Sequence, residues 1–257
     1  MGQRFLISRP VLTKIIAAAD LSREDTVLEI GPGTGILTRA LAEKAGRVIA
    51  VEKDKRLFEL LSEQLKKEGI SNVRLISGDI LHIPSPYTLT PSPYKVVANI
   101  PYYLTSRLIR RLLEAEHPPK DILIMVQKEV AERITARPPH MNLLALSVQA
   151  YGQPRILARV PPEAFSPPPK VESALIEITG ISGDFFTKHR IAPERFFALA
   201  KAAFAGKRKI LANSLARTLD GKEHARALIK KSGLADRARP EELSLEDWAK
   251  LIQNHDR

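Results

Sequence analysis

Cysteine is absent from the 257 residues. That excludes disulfides, thiolate metal ligands and cysteine nucleophiles. The six histidines show no paired metal spacing, so no metal site is expected. No apolar run approaches the roughly 20 residues needed to span a bilayer. The segment Met1 to Arg9 carries no secretory pattern of charge, apolar stretch and small-residue cleavage site. A cytoplasmic protein without a membrane partner is the expectation. Acidic residues are in deficit: 29 Asp and Glu stand against 40 Lys and Arg, a formal net charge of +11. A protein this basic usually meets a polyanion, and nucleic acid and an anionic membrane surface are the two candidates. Internal repeats are also missing.

Hydrophobic residues make up 44%, enough for a large α/β domain and a small second one. Seven segments read as strands: 26–31, 46–52, 73–77, 94–99, 122–127, 145–151 and 173–179. Helical periodicity falls at 9–19, 36–44, 54–67, 105–116 and 128–136, with Pro10 in a first turn and Asp54 as an N-cap. This alternation predicts an α/β fold: a doubly wound, mainly parallel seven-stranded sheet with helices on both faces. Near residue 180 the strands stop. Segments 196–204, 207–218, 223–231 and 244–254 read as helices, and residues 188–231 carry twelve Lys and Arg against three Asp and Glu. The expected division is 1–180 and 181–257, the second domain small, helical and basic.

The run Glu29-Ile30-Gly31-Pro32-Gly33-Thr34-Gly35 follows the first long strand. Glycine there permits positive φ and close approach of a ligand. A dinucleotide fingerprint requires G-x-G-x-x-G, but the glycines are Gly31, Gly33 and Gly35, with Ile at 36. That spacing disfavours a pyrophosphate cradle and suits a cofactor without phosphate, such as S-adenosylmethionine. Glu52 ends the next strand, 21 residues after Gly31, where a carboxylate can accept from both ribose hydroxyls. Asp79, followed by Ile80, comes just after the third; it can take an adenine amino group, or equally serve as a turn or cap residue.

Asn99-Ile100-Pro101-Tyr102 follows the fourth strand. An adenine amino nitrogen is a poor nucleophile because its lone pair is delocalised into the ring. The Asn99 amide oxygen and the Ile100 carbonyl can each accept one N6 hydrogen, favouring a pyramidal nitrogen. Pro101 fixes φ, and Tyr102 offers a flat face for an extruded base.

Together GQRFL (2–6), LEIGPGTG (28–35), VEKD (51–54), GDIL (78–81), NIPYYLTS (99–106), MVQKEVAER (125–133) and PPEAFSPPPKVES (161–173) closely resemble the ribosomal RNA adenine dimethyltransferases. The similarity continues through 203–215 and 239–248, and its best match is the branch acting on small-subunit rRNA. The resemblance implies a Rossmann-like methyltransferase domain, S-adenosyl-L-methionine as cofactor, and dimethylation at N6 of two adjacent adenosines near the 3′ end of small-subunit rRNA, in a subunit or its precursor. It places cofactor contacts on Arg4, Leu6, Gly31, Glu52, Asp79 and Asn99, and a base pocket on Asn99, Ile100, Pro101, Tyr102 and Phe165, with Phe165 covering the base face opposite Tyr102. Arg4 replaces the usual Asn, so a contact there would run through the backbone. The Pro-rich stretch around Phe165 reads as a rigid loop rather than a linker. Arg107, Arg110, Arg111, Lys207, Arg208 and Lys209 are the candidate phosphate contacts, and a monomer is expected. The alternatives are a large-subunit rRNA adenine methyltransferase of the macrolide-resistance type, a DNA adenine methyltransferase, and a non-catalytic RNA-binding assembly factor.

Overall fold

The computed structural model describes residues 4–83, 89–90, 92–206 and 209–255. Its chain separates into two compact units: residues 1–131 with 153–181, and residues 132–152 with 182–257. The sequence boundary near 180 therefore misses a segment. Residues 132–152, expected in the first domain, belong to the second unit.

In the first unit, seven strands form one sheet: β2 (Thr26–Ile30), β3 (Arg47–Glu52), β4 (Val73–Ser77), β5 (Lys95–Asn99), β6 (Asp121–Gln127), β7 (Gln153–Val160) and β9 (Ser173–Thr179). Their order is β4-β3-β2-β5-β6-β9-β7. The first five run parallel, and β9 is antiparallel to both β6 and β7. Central strands covered on both faces must be apolar throughout. Accordingly Val27, Leu28, Val48, Ile49, Val96, Val97, Ile122 and Ile124 are buried. A separate ribbon pairs β1 (Phe5–Leu6) with β8 (Phe165–Ser166) and seats the N-terminal segment beside the sheet.

The helices of this unit begin where side chains satisfy their first N–H groups. α1 (Arg9–Ala19) has Pro10 in its first turn, and Ser8 accepts from Val11 N–H. α3 (Lys55–Lys67) is capped by Asp54, which accepts from Arg56 and Leu57. The expectations at Pro10 and Asp54 match. α2 (Ile36–Lys44) starts on Gly35 at φ +80°. α4 (Thr105–Leu113) buries Leu108, Ile109, Leu112 and Leu113 along one face.

Residues 145–151, read as a strand, are instead helical: α6 spans Leu143–Gln149. Asn142 decides this, because its Oδ1 accepts from Leu144 and Ala145 N–H, both at 3.1 Å. The seventh strand is β7, whose QPRILARV sequence was not read as one. Seven strands were thus expected with one misplaced.

In the second unit, α6 packs with α7 (Asp184–His189), α8 (Pro193–Phe204), α9 (Leu211–Leu215), α10 (Lys222–Lys231) and α11 (Leu245–His255). One cluster joins Met141, Ala145 and Leu146 to Phe186, Phe196, Phe197, Leu211, Ile229 and Trp248. α5 (Lys128–Ile134) runs across the division at 131/132.

Candidate active site

Strand order reverses between β2 and β5, each side of the sheet growing outward from that pair. Open α/β sheets bind ligands at the carboxyl ends of their strands at such a point. Here β2 delivers Gly31 and β5 delivers Asn99. Gly31 N–H reaches Val51 O at 2.9 Å, and Gly35 N–H closes a turn on Pro32 O at 2.9 Å. Gly31 and Gly33 adopt φ +70° and +59°, a left-handed region in which a side chain would be strained. A Cβ on Gly33 would also lie 3.0 Å from the Phe5 ring.

Two cavities meet at this turn and share Gly31 and Pro101. The first includes Arg4, Leu6, Glu29, Gly33, Asn99 and Tyr102 in its wall. The second includes Glu52, Lys53, Asp79, Ile80 and Tyr103. Most sequence-derived candidates fall on these two walls.

Glu52 is 1% exposed. Its Oε2 accepts from Gly33 N–H at 3.0 Å and its Oε1 from Asp54 N–H at 2.8 Å. Each oxygen keeps lone-pair capacity for a further donor. The same carboxylate therefore sets the shape of the glycine turn. Asp79 sits in its own turn, with Oδ1 accepting from Leu81 N–H at 3.0 Å. Its Oδ2 pairs with Lys53 Nζ at 2.9 Å and lies 3.2 Å from His82 Nδ1. Burial alone would raise the Asp79 pKa. The bond from Lys53, the Leu81 N–H and the charges of Lys53 and His82 outweigh it and hold the carboxyl below its usual range. The turn role and the cavity position coexist at Asp79.

At the first cavity, Asn99 Nδ2 donates to Arg4 O at 3.1 Å. This bond commits the amide NH2 and leaves Oδ1 as the group able to accept. Arg4 acts here through its main chain, while its guanidinium donates to Pro167 O at 3.3 Å. Ile100 is buried, and both it and Pro101 line the cavity. The Tyr102 hydroxyl bonds Ser173 Oγ at 2.7 Å. Ser173 is fully buried at the start of β9, so the ring is anchored from behind.

The remaining described candidates stand elsewhere. Phe165 is 2% exposed, packed with Leu6, Val11, Met125 and Leu175, and is absent from both walls. Its pairing with Leu6 across the ribbon turns the ring into the core, so this structure offers no Phe165 face to a base. Gly35 also lies outside both walls; a Cβ there would stand 2.3 Å from Leu61 Cδ1, so it serves the packing of α2 on α3. Arg111 donates to Leu81 O at 3.2 Å and to Ile83 O, which directs it inward. Arg107 and Lys209 are exposed. Arg110 is exposed and bonds Glu114 at 2.8 Å. Lys207 and Arg208 lie outside the described residues.

The sequence reading passed over Glu29, although it opens the glycine motif. It is 1% exposed, and its Oε2 has no hydrogen-bond partner. Burial pushes its pKa up to about 8; the Thr38 hydroxyl offsets part of this and the negative charge of Glu52 adds to it. The signal available was a carboxylate inside an otherwise apolar strand. Ser173 and Lys53 gave no such signal, because their partners are remote in sequence or on another strand.

The wall chemistry selects among cofactors. The Glu52 carboxylate flanks the glycine turn, and Glu29 beside it holds its proton. A pyrophosphate placed there would meet the Glu52 charge in a desolvated setting. A ligand that brings hydroxyl donors to Glu52 fits.

The sequence profile described as ribosomal RNA adenine dimethylase matches residues 1–256. A relative from Dehalococcoides mccartyi, named ribosomal RNA small subunit methyltransferase A, is 46% identical over 98% of this chain and 86% of its own. One from Lachnoclostridium phytofermentans with the same name is 41% identical, over 97% of this chain and 88% of its own. Among solved structures, a dimethyladenosine transferase from Plasmodium falciparum superposes with a TM-score of 0.83 at 26% identity, covering 96% of this chain and 95% of that one. The 23S rRNA methyltransferase ErmE gives 0.75 at 27% identity, covering 98% and 100%. With its glycine turn, its Asn-Ile-Pro-Tyr loop and a match along its whole length, the chain belongs to the ribosomal RNA adenine dimethylase family.

Proposed function

We propose that this protein uses S-adenosylmethionine to dimethylate N6 of two adjacent adenosines near the 3′ end of small-subunit rRNA. The observation that carries the reading is Asn99: its NH2 is held by Arg4 O, so its Oδ1 accepts, in a cavity joined at Gly31 and Pro101 to a second one bearing Glu52 and Asp79. Glu52 would take the ribose and Asp79 the adenine amino group of the cofactor, with Ile80 against its ring. When bound, S-adenosylmethionine supplies an electrophilic methyl group on a sulfonium.

The chain's own residues prepare the acceptor. Asn99 Oδ1 and Ile100 O accept the N6 hydrogens and draw the nitrogen lone pair out of conjugation. Tyr102, anchored through Ser173, stacks on the base. Asn99 cannot take up a proton at neutral pH, so the product's proton leaves to solvent. The exposed Arg107 and Lys209, with the basic tail, would bind phosphate without reading sequence. The small-subunit target is supported by relatives at 41–46% identity that carry that name. ErmE, named for 23S rRNA, stands at 27%.

The test offers small subunits lacking dimethyladenosine, 23S rRNA and duplex DNA in competition, and counts methylated nucleosides by mass spectrometry. Dimethyladenosine confined to the small subunit is expected, and its loss in Asn99→Ala with RNA affinity retained. Methylation of 23S rRNA or DNA instead would overturn the target. A fully active Asn99→Ala would overturn the role of the amide.

A further inference from the structure

Residues 78–83, after β4, carry Asp79 and Ile80 into the second cavity and form neither strand nor helix. Three of their donors are satisfied internally by Asp79: Oδ1 accepts from Leu81 N–H at 3.0 Å, and the main-chain oxygen accepts from His82 N–H at 2.8 Å and Ile83 N–H at 3.2 Å. Two of their acceptors are satisfied from outside. Arg111, on α4, reaches across with Nη1 to Leu81 O at 3.2 Å and Nη2 to Ile83 O. Asp79 thus holds the N–H side of the turn and Arg111 the C=O side.

The planar guanidinium is suited to this. Its two terminal nitrogens are fixed relative to each other and serve two carbonyls at once, whereas a lysine ammonium is a single point donor on a flexible stem. α4 is also the helix that continues directly from the catalytic loop through the 3-10 turn Tyr102–Leu104.

We infer that Arg111 is a positioning residue for the cofactor: it fixes the Asp79–Ile83 loop to the helix that descends from Asn99-Ile100-Pro101-Tyr102, and so sets the distance between cofactor ring pocket and acceptor pocket. This rests on the cofactor reading given above. It also removes Arg111 from the phosphate-binding set, since a side chain turned onto two main-chain carbonyls does not face RNA.

The experiment titrates S-adenosylmethionine into the full chain by calorimetry for wild type, Arg111→Ala and Arg111→Lys, with steady-state kinetics and the salt dependence of rRNA binding alongside. Arg111→Ala should weaken cofactor affinity about tenfold and raise the cofactor KM while largely sparing kcat, and Arg111→Lys should recover only part. The salt slope of RNA binding should stay unchanged. Hydrogen exchange should rise at Leu81 to Ile83 more than elsewhere. Unchanged cofactor affinity in a folded Arg111→Ala, or full recovery by lysine, would overturn the inference. A salt slope reduced by about one unit would make Arg111 a phosphate contact instead. If the wild type binds no S-adenosylmethionine, the cofactor reading itself falls and takes the inference with it.

Discussion

Tyr102 and Ser173 form a pair that no local pattern in the sequence announces, since 71 residues separate them. Tyr102→Phe keeps the stacking face but leaves the buried Ser173 hydroxyl without this partner, a loss of about 1–2 kcal/mol. Ser173→Ala should cost a similar amount, and the double variant little more than either single one, because both remove one interaction. Chemical denaturation of the four proteins checks this. Methyl transfer should survive in Tyr102→Phe and be lost in Tyr102→Ala, where stacking worth about 1–3 kcal/mol disappears. Glu29 behaves differently. Its folded pKa of about 8 stands above the ordinary 4.5, so the folded state holds a proton that the unfolded state has released. Stability from this source is complete below about pH 4.5 and declines as pH rises to about 8, at up to roughly 1.4 kcal/mol per unit. Glu29→Gln should abolish that slope. Denaturation midpoints of both proteins between pH 5 and 8 check this: curves that run parallel would mean that burial does not perturb Glu29.

At the scale of elements, Gly35 separates packing from binding. Its φ of +80° costs a non-glycine residue roughly 1–2 kcal/mol, and the added Cβ would press on Leu61. Gly35→Ala should therefore lower the melting temperature while changing cofactor affinity less than Gly33→Ala, whose Cβ would meet the cavity residue Phe5. Equal losses of affinity would return Gly35 to the cofactor contacts. The glycine spacing alone could not divide these roles, because each glycine answers to a neighbour from a distant segment. The parallel strands were legible because burial on both faces leaves continuous Val and Ile runs. β7 was not, because its outer position mixes arginines and a proline into the strand. Residues 145–151 carry the apolar content of a strand, but Asn142 supplies a helix cap and the cap wins. Among the candidates, Asn99 and Glu52 were read from strand ends and Asp79 from the turn after one, and the structure brings all three to the two cavity walls. Phe165 came from the resemblance alone; its burial was not legible because the β1–β8 ribbon, two residues per strand, is too short to leave a pattern.

For the whole molecule, the second unit is assembled from two stretches of chain. Removing residues 182–257 would strip the cover from Met141, Ala145 and Leu146, which share a core with Phe196 and Trp248. Such a truncation should bind hydrophobic dyes and aggregate. A version that also replaces 132–152 by a short linker should stay in solution and still bind S-adenosylmethionine. Light scattering and calorimetry on the two forms decide the matter; a well-behaved simple truncation would mean that 132–152 needs no partner.

The same interleaving sets an order of events at birth. As the chain is synthesised from its N-terminus, α6 emerges before β7 and β9, and long before Trp248 on α11. The catalytic sheet can close its last two strands only by paying out a loop whose own helix is still waiting for its core. A chain released after residue 181 would carry all seven strands of the sheet and an α6 whose Ala145 and Leu146 lack the core they share with Phe196 and Trp248, leaving that apolar surface open until the final helix is made.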